Sequence, residues 1–156
     1  PEAQMALASA YSDARQFGHE EKMLLCAYQQ RHGEAAHTLG VHHRAITNDY
    51  PQAIKYFQAG TEYGNRDSAL ALARLYADGF WSYMGKKYKP AFERAGIEVD
   101  AVRSRRYNEI AAALEINPDL KLTRLNEVLP LPPAKLPPWN GIAAALEPET
   151  DGPPTY

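Results

Sequence analysis

The stretch YFQAGTEYGNRDSALALARLYADG, from Tyr56 to Gly79, decides the fold because its small, aliphatic and aromatic residues recur at helical spacing. Ser68, Leu72 and Tyr76 follow one another at intervals of four, which places them along one face of a helix. A small residue beside them, Ala73, allows a neighbouring helix to approach that face closely. The stretch therefore predicts helices in close mutual contact.

The pattern occurs twice more towards the N terminus. Leu39 lies 33 positions before Leu72, and Leu7 lies 32 positions before Leu39. Each of these three leucines is followed by a small residue and is preceded, four positions earlier, by another small residue. We therefore predict repeated helix pairs that stack on one another and share a continuous core.

A second helix is expected in each of the first two repeats. It covers about residues 20–31 in the first repeat and residues 50–63 in the second, where apolar residues recur at helical spacing. Gly33 and Gly64 stand where these two helices are expected to end, because glycine readily takes the left-handed conformation that closes a helix.

The chain after residue 79 departs from the repeat. We expect an aromatic loop over residues 80–85, then a short helix or irregular segment to residue 95, and a strong helix over residues 99–114 that Asn117-Pro118 ends. The apolar side of this last helix is expected to carry Val102, Tyr107, Ile110, Ala111 and Leu114, and its polar face Arg103, Arg105 and Arg106. We expect these arginines and the run Lys86-Lys87-Tyr88-Lys89 to form a solvated helix face and loop, with a basic docking patch as the alternative.

A proline-rich segment follows this helix. Residues 129–138 contain five prolines, which predicts extended chain, and their leucines and Trp139 are expected to pack as a strap on the last helix. The tail from about residue 148 has little to bury and is expected to be disordered. The predicted division is 1–79 for the repeats, 80–117 for the aromatic loop and C-terminal helix, and 118–156 for the extended C-terminal segment.

The composition restricts the possible classes of function. The 156 residues carry 17 basic and 19 acidic side chains, and a net charge of −2 offers no electrostatic footprint for nucleic acid. No run of about 20 apolar residues is present for direct insertion into a membrane. The single cysteine, Cys26, excludes an intramolecular disulfide, and its apolar neighbours predict a buried structural thiol.

The repeats resemble Sel-one-like repeats, which are short relatives of the tetratricopeptide repeat. The first helix of that family carries Ala-x-x-x-Leu-Gly-x-x-Tyr-x-x-Gly, and the second carries Ala, an aromatic pair and a terminal Glu-x-Gly-Asn-x-x-Ala. The first pattern is matched here by Ser68, Leu72, Ala73, Tyr76 and Gly79, and the second by Ala53, Tyr56, Phe57, Glu62, Gly64, Asn65 and Ala69. The resemblance covers about residues 3–79. It implies an all-α, right-handed solenoid of about two and a half helix pairs that binds protein.

The segments RRYNEIAAAL and VLPLPPAKLPPWNG resemble a C-terminal extension found on a group of bacterial Sel-one-like repeat proteins. That group includes immunity proteins encoded beside type VI secretion effectors, notably those that guard against a phospholipase D toxin. The resemblance implies a cognate secreted toxin of this kind as the partner and the periplasm as the compartment. An envelope scaffold that binds other proteins without inhibiting them is the alternative. Because the first repeat has no polar cap, the chain is also expected to be the C-terminal part of a longer solenoid.

Neither a metal site nor catalysis is predicted. The five histidines are His19, His32, His37, His42 and His43, and no pair of them has the spacing of three or four positions that places two ligands on one helix face. The chain has no nucleophile elbow and no glycine-rich phosphate loop. We therefore expect no cofactor and no enzymatic activity.

The residues expected to bind the partner lie mainly on the first helix of each repeat, which lines the concave surface of a solenoid. Thr38, His42 and Arg74 are predicted to be exposed there, with Asp78 near the loop end. The aromatic loop adds Trp81 and Tyr83, because Trp and Tyr are enriched among binding hot spots; for Trp81, packing into the core is the alternative.

Overall fold

The computed structural model describes residues 1–79, 89–94 and 96–146, and this part of the chain is all-α. Its helices are α1 (Glu2–Asp13), α2 (Phe17–Gln29), α3 (Gly33–Ala45), α4 (Tyr50–Glu62), α5 (Arg66–Tyr76), α6 (Ala101–Ile116) and α7 (Leu125–Val128), with a 3-10 turn at Ile142–Ala145. Residues 78–79 and 89–94 are also helical. The all-α prediction is confirmed, whereas the predicted aromatic loop and disordered tail lie outside the described residues.

One type of turn joins each helix to the next from α1 to α5. A residue with positive φ stands directly before each N-cap: Arg15 (56°), Arg31 (59°), Asn48 (53°) and Gly64 (89°). Arg15 and Asn48 are 33 positions apart, as are Arg31 and Gly64. The helix pair therefore repeats every 33 residues, which agrees with the spacing of Leu39 and Leu72.

The prediction that Gly33 ends a second helix is wrong. Gly33 is the first residue of α3, and Arg31 takes the left-handed conformation that closes the preceding turn. The counterpart of Arg31 one repeat later is Gly64, which does follow the end of α4. An arginine carries no sequence signal for this conformation, so the glycine pattern misplaced the boundary by two residues.

Side-chain caps fix where the helices begin. The Asp49 carboxylate accepts a hydrogen bond from the Gln52 backbone N–H at 3.1 Å, and the Asn65 side chain accepts one from the Ser68 N–H at 2.8 Å. Asp100 does the same at the start of α6, accepting from the Arg103 N–H at 2.9 Å. Each cap satisfies one of the amide groups that lack a partner in the first turn of a helix.

The buried apolar residues form two clusters. A small cluster joins α1, α2 and α3 through Ala8, Leu24, Ala27, Ala35 and Leu39, whereas a much larger one extends from α4 to the 3-10 turn. The two clusters meet where α3 packs on α4, and there a Cβ on Gly40 would lie 2.6 Å from Cε1 of Phe57. Glycine at this position lets the two helices approach closely.

The first repeat packs differently from the other two. Leu39 and Leu72 are fully buried, but Leu7 is 49% exposed, and the adjacent Ala8 is buried instead. The prediction that Leu7 fills the same core position is therefore wrong. The period of 33 residues that the turns follow pairs Leu39 with Ala6, which is exposed as well, so α1 packs on the core through a different face.

The interpretation of α6 as a helix with a solvated arginine face is wrong for two of its three arginines. Arg103 and Arg106 are 4% and 6% exposed, whereas Arg105 is exposed, and Val102 of the predicted apolar side is also exposed. Arg103 lies four positions before Tyr107 and seven before Ile110, so its side chain emerges on the inner face of the helix. Because Arg103 and Arg106 are buried, they cannot form part of a basic docking patch either.

The buried arginines hold the proline-rich segment on α6. Arg103 donates hydrogen bonds to the backbone carbonyls of Pro130 and, at 3.2 Å, of Ala134, and Arg106 donates to that of Val128 at 3.2 Å. Such bonds from a charged donor offset the cost of taking the guanidinium group out of water. The segment thereby covers α6, with Leu129 fully buried and Leu131, Leu136 and Trp139 packed against the large cluster.

A series of buried hydrogen bonds connects the proline-rich segment to the repeats. The Tyr107 hydroxyl donates to the Gln58 side-chain oxygen at 2.7 Å, and the Gln58 amide donates to the backbone carbonyl of Leu129 at 2.9 Å. Gln58 belongs to α4 and Tyr107 to α6, so these hydrogen bonds link the two helices through the large cluster. Because each of these polar groups has a partner, their burial is compatible with a stable core.

Candidate partner-binding surface

Two of the predicted binding residues lie together on α3. Thr38 and His42 are one helical turn apart, and both are half-buried. The Thr38 hydroxyl donates to the backbone carbonyl of Glu34 at 3.0 Å. Both residues face a hollow between α1, α2 and α3.

This hollow, the N-terminal notch, has an apolar interior of about 170 Å³. Leu24 is buried in it, while Phe17 and Ile46 are 55% and 67% exposed at its edge. Its lining consists of Ser12, Phe17, Glu20, Glu21, Leu24, Thr38, Val41, His42 and Ile46. Large apolar side chains that remain this exposed beside a hollow are a common mark of a protein interaction site.

A shallower hollow of about 310 Å³ continues the notch along α1. The two share Ser12, Glu20, Leu24 and Thr38, so they form one surface. The continuation adds the carboxylates of Asp13 and Glu34, together with Met5, Ala8 and Ser9. The surface thus combines an apolar centre with acidic side chains, and none of the described residues that line it is Lys or Arg.

The other predicted binding residues are placed elsewhere. Arg74 is exposed on α5, and Asp78 is exposed just beyond the end of that helix. Neither lines the N-terminal notch. Trp81 and Tyr83 lie outside the described residues, so their predicted role stays a prediction. The structure therefore joins Thr38 with His42 and does not join them with Arg74 or Asp78.

Sequence reasoning missed the residues that give the notch its chemistry, namely Phe17, Ile46, Glu20 and Glu21. Phe17 begins α2 three residues before the predicted start, and Ile46 lies just past the end of α3. Both positions fall at helix ends, where a periodic pattern says least. A usable signal was an apolar residue near the end of each helix, because a residue there lies outside the periodic apolar face and can stay exposed.

A larger hollow, of about 560 Å³, lies beside the start of α6. Tyr76, Asp100 and Arg103 line it, together with Pro132, Pro133 and Ala134 of the proline-rich segment. Arg103 forms an ion pair with Asp100 at 3.3 Å and lies over the Tyr76 ring at 5.4 Å, so these groups chiefly interact with one another. Burial raises the pKa of Tyr76 to about 12.

The single cysteine is placed differently from its prediction. Cys26 is exposed, whereas Leu24 and Ala27 on either side of it are buried. The predicted buried thiol is therefore wrong, because the inward face of α2 passes through its neighbours.

The histidines are dispersed. His32 caps α3 and lies 3.2 Å from Glu2, and the ring of His37 packs on Phe57 with 5.6 Å between ring centroids. Burial lowers the pKa of His37, which favours the neutral ring. Within the described ranges, no three His, Cys, Asp or Glu side chains come together as metal ligands would. In the same part of the chain, no helix combines the length and the apolar character needed to cross a bilayer.

Comparison with known proteins gives one family and two similar folds. A family model described as a domain of unknown function, DUF6396, matches residues 72–155. The crystal structure of the immunity protein Pa5087 from Pseudomonas aeruginosa is similar, with a TM-score of 0.68 and 26% sequence identity. The structure of PA5086 from Pseudomonas aeruginosa gives a TM-score of 0.68 and 27% identity. Each covers 85% of this chain, which spans about half the length of these proteins, 47% of each. Among curated proteins, none matches the sequence.

Proposed function

We propose that this chain, which belongs to the family of the domain of unknown function DUF6396, is an immunity protein that binds and neutralises a protein toxin. The observation that carries the proposal is the likeness to the immunity protein Pa5087 over 85% of this chain at 26% identity. The acidic and apolar N-terminal notch supports a protein as the ligand, because exposed apolar side chains with a polar rim suit a protein interface. The chain acts by binding and carries out no reaction.

The finer proposal follows the resemblance of the C-terminal segments. The partner is an effector of type VI secretion with phospholipase D activity, and the two proteins meet in the periplasm. The repeats form a right-handed solenoid of the Sel-one-like type, which is supported by the period of 33 residues in the turns from Arg15 to Gly64. A solenoid of this kind presents an extended surface on which a folded toxin can dock.

Growth protection in a laboratory bacterial host tests the proposal. The product of the gene adjacent to this chain's gene is expressed alone and together with this chain, each directed either to the cytoplasm or to the periplasm. We expect growth to stop with the neighbouring gene product alone and to recover when this chain is present in the same compartment. Conversion of membrane phospholipids to phosphatidic acid, with release of the headgroup alcohol, would identify phospholipase D activity, and this chain should suppress it.

The purified proteins provide the second readout. A one-to-one complex that survives size-exclusion chromatography agrees with an immunity protein, because neutralisation requires a tight interface of ordinary size, about 1,600 Å² in total. Failure to restore growth, together with several weak partners in the envelope fraction, would support a scaffold that binds other proteins without inhibiting them.

A further inference from the structure

We infer that the N-terminal notch receives an apolar side chain of the toxin that is flanked by lysine or arginine residues. This inference rests on the proposed function and specifies where the partner docks and what its docking segment contains. The surface formed by α1, α2 and α3 supports both the apolar side chain of the partner and the basic residues beside it.

The apolar part follows from the shape and exposure of the notch. A volume of about 170 Å³ accommodates one large aliphatic or aromatic side chain of a partner. Leu24 is a buried residue of its lining, and Phe17 and Ile46 are exposed residues of the same lining, so an inserted side chain would cover apolar surface. Anchors of this kind, seated in a pocket and shielded from water, provide most of the free energy of a protein interface.

The basic part follows from the charges around the notch. Asp13, Glu20, Glu21 and Glu34 line the combined surface, and within the described part of the chain none of these four carboxylates forms an ion pair. Several carboxylates elsewhere do form ion pairs, as Glu62 does with Arg31 at 2.8 Å and Glu115 with Arg66 at 3.2 Å. Unpaired charges of one sign around an apolar hollow favour an approaching surface of the opposite sign.

The same charges argue against two other occupants. A second copy of this chain would bring its own acidic rim against this one, and an anionic membrane surface would also be repelled. A segment of another protein with an apolar side chain and basic residues is complementary to both the apolar hollow and its acidic rim. The occupant is therefore a protein partner of opposite charge.

Two variants of the notch test the inference in the complex with the product of the adjacent gene. Ile46→Ser removes an exposed apolar edge, and Ile116→Ser, at a position 86% exposed on α6, is its matched control outside the notch. We expect Ile46→Ser to raise the Kd at least tenfold and Ile116→Ser to leave it within about twofold. Because both side chains are largely exposed, neither substitution should unfold the chain.

The charge is tested by a double variant, Glu20→Gln with Glu21→Gln. A second double variant, Glu98→Gln with Asp119→Asn, removes the same charge at exposed positions outside the notch. The first pair should weaken binding at least tenfold at about 50 mM salt and far less at about 0.5 M, since salt screens the attraction. The second pair should change the Kd little at either salt concentration. Isothermal titration calorimetry measures all of these constants.

The outcomes separate the two proposals. If the unmodified chain forms a tight complex and neither Ile46→Ser nor the Glu20 and Glu21 pair changes its Kd, docking at the notch is refuted. The proposed function would still stand. Absence of any complex and of growth protection would overturn both. Sedimentation that shows a dimer disrupted by Ile46→Ser would assign the notch to a second copy, and flotation with anionic vesicles would assign it to a membrane.

Discussion

Arg103 shows that a charged side chain can be part of the core of this fold. It is almost completely buried, and its guanidinium group bonds to Asp100 and to the carbonyls of Pro130 and Ala134. Removing the group leaves Asp100 and these two carbonyls without their donor, which costs more than the net gain from an ordinary surface ion pair. The strength of the attachment of the proline-rich segment therefore depends on this residue.

Replacement of the side chain measures that dependence. Arg103→Met keeps most of the apolar stem and should lower the free energy of unfolding by about 2–4 kcal/mol in urea titrations. Arg105→Met is the control, because Arg105 is exposed and reaches Glu109 only at 3.9 Å, so its loss should change stability by less than about 0.5 kcal/mol. Equal effects of the two variants would contradict the role assigned to Arg103.

Tyr76 carries a buried hydroxyl without a hydrogen-bond partner among the described residues. Burial raises its pKa to about 12, despite the opposing effect of Arg103, so the unfolded chain releases this proton first as the pH rises above 10. The unfolded state then binds fewer protons than the folded state, and stability falls with rising pH. The stability associated with the protonated hydroxyl is thus complete below pH 10 and is lost between about pH 10 and 12.

Tyr76→Phe should therefore be neutral or slightly stabilising at pH 7 and increasingly stabilising relative to the unmodified chain above pH 10. A difference of about two pKa units corresponds to at most about 3 kcal/mol. Tyr107→Phe is the contrast, because it breaks the 2.7 Å bond to Gln58 and should cost about 1–2 kcal/mol at pH 7. Urea titrations from pH 7 to pH 11 check both, and parallel pH profiles of Tyr76→Phe and the unmodified chain would refute the alkaline effect.

The elements differ in how far the sequence predicts them. The prediction for α4, residues 50–63, lies within one residue of Tyr50–Glu62, because its apolar positions recur at clear helical spacing. α6 is also predicted, and Tyr107, Ile110, Ala111 and Leu114 of its predicted apolar side are buried, but the burial of two of its arginines is not predicted. The segment from Val128 to Ala134 supplies the carbonyl partners that allow Arg103 and Arg106 to remain buried, and no pattern within the helix reveals that contact.

The candidate site shows the same limit. Thr38 and His42 follow from the first-helix pattern, and both line the N-terminal notch. Phe17 and Ile46 do not, because their position is set by how the ends of α2 and α3 meet rather than by the pattern inside either helix. The prediction of a partner-binding face therefore found the helix and missed its apolar and acidic neighbours.

The recurring turn between helices can be tested through its left-handed residue. Arg15 takes φ of 56°, a conformation that costs a side-chain-bearing residue about 1–2 kcal/mol. Arg15→Gly removes that strain, and part of the gain is lost to the greater chain entropy of glycine, so stability should rise by up to about 1 kcal/mol. Gly64→Ala, in the turn of the same type between α4 and α5, should lower stability by more than about 1 kcal/mol, since a Cβ there would also lie 2.7 Å from the Leu120 carbonyl oxygen. Thermal unfolding compares the two, and changes of the same sign would contradict an equivalent turn.

At the scale of the whole molecule, the two apolar clusters imply unequal local stability. The cluster joining α1 to α3 rests on five buried residues, three of them alanines, whereas the other includes Phe57, Tyr76, Tyr107 and Leu129. Less apolar surface is thus buried around α1 and α2 than around α5 and α6, and burial of such surface provides most of the free energy of folding. The N-terminal helices should open without unfolding of the rest.

Amide hydrogen exchange measures this difference directly. Amides in α1 and α2 should exchange at least tenfold faster than those in α5 and α6, because they open through a smaller structural unit. Leu24→Ala, at a buried position of the small cluster, should accelerate exchange in α1 and α2 and leave α6 nearly unchanged, whereas Leu114→Ala in the large cluster should accelerate it throughout. If instead every helix exchanges at one common rate in all three proteins, the chain unfolds as a single unit. A toxin seated in the N-terminal notch should slow exchange in α1 and α2 more than in α6, since that is where binding would add contacts to the least stable part of the molecule.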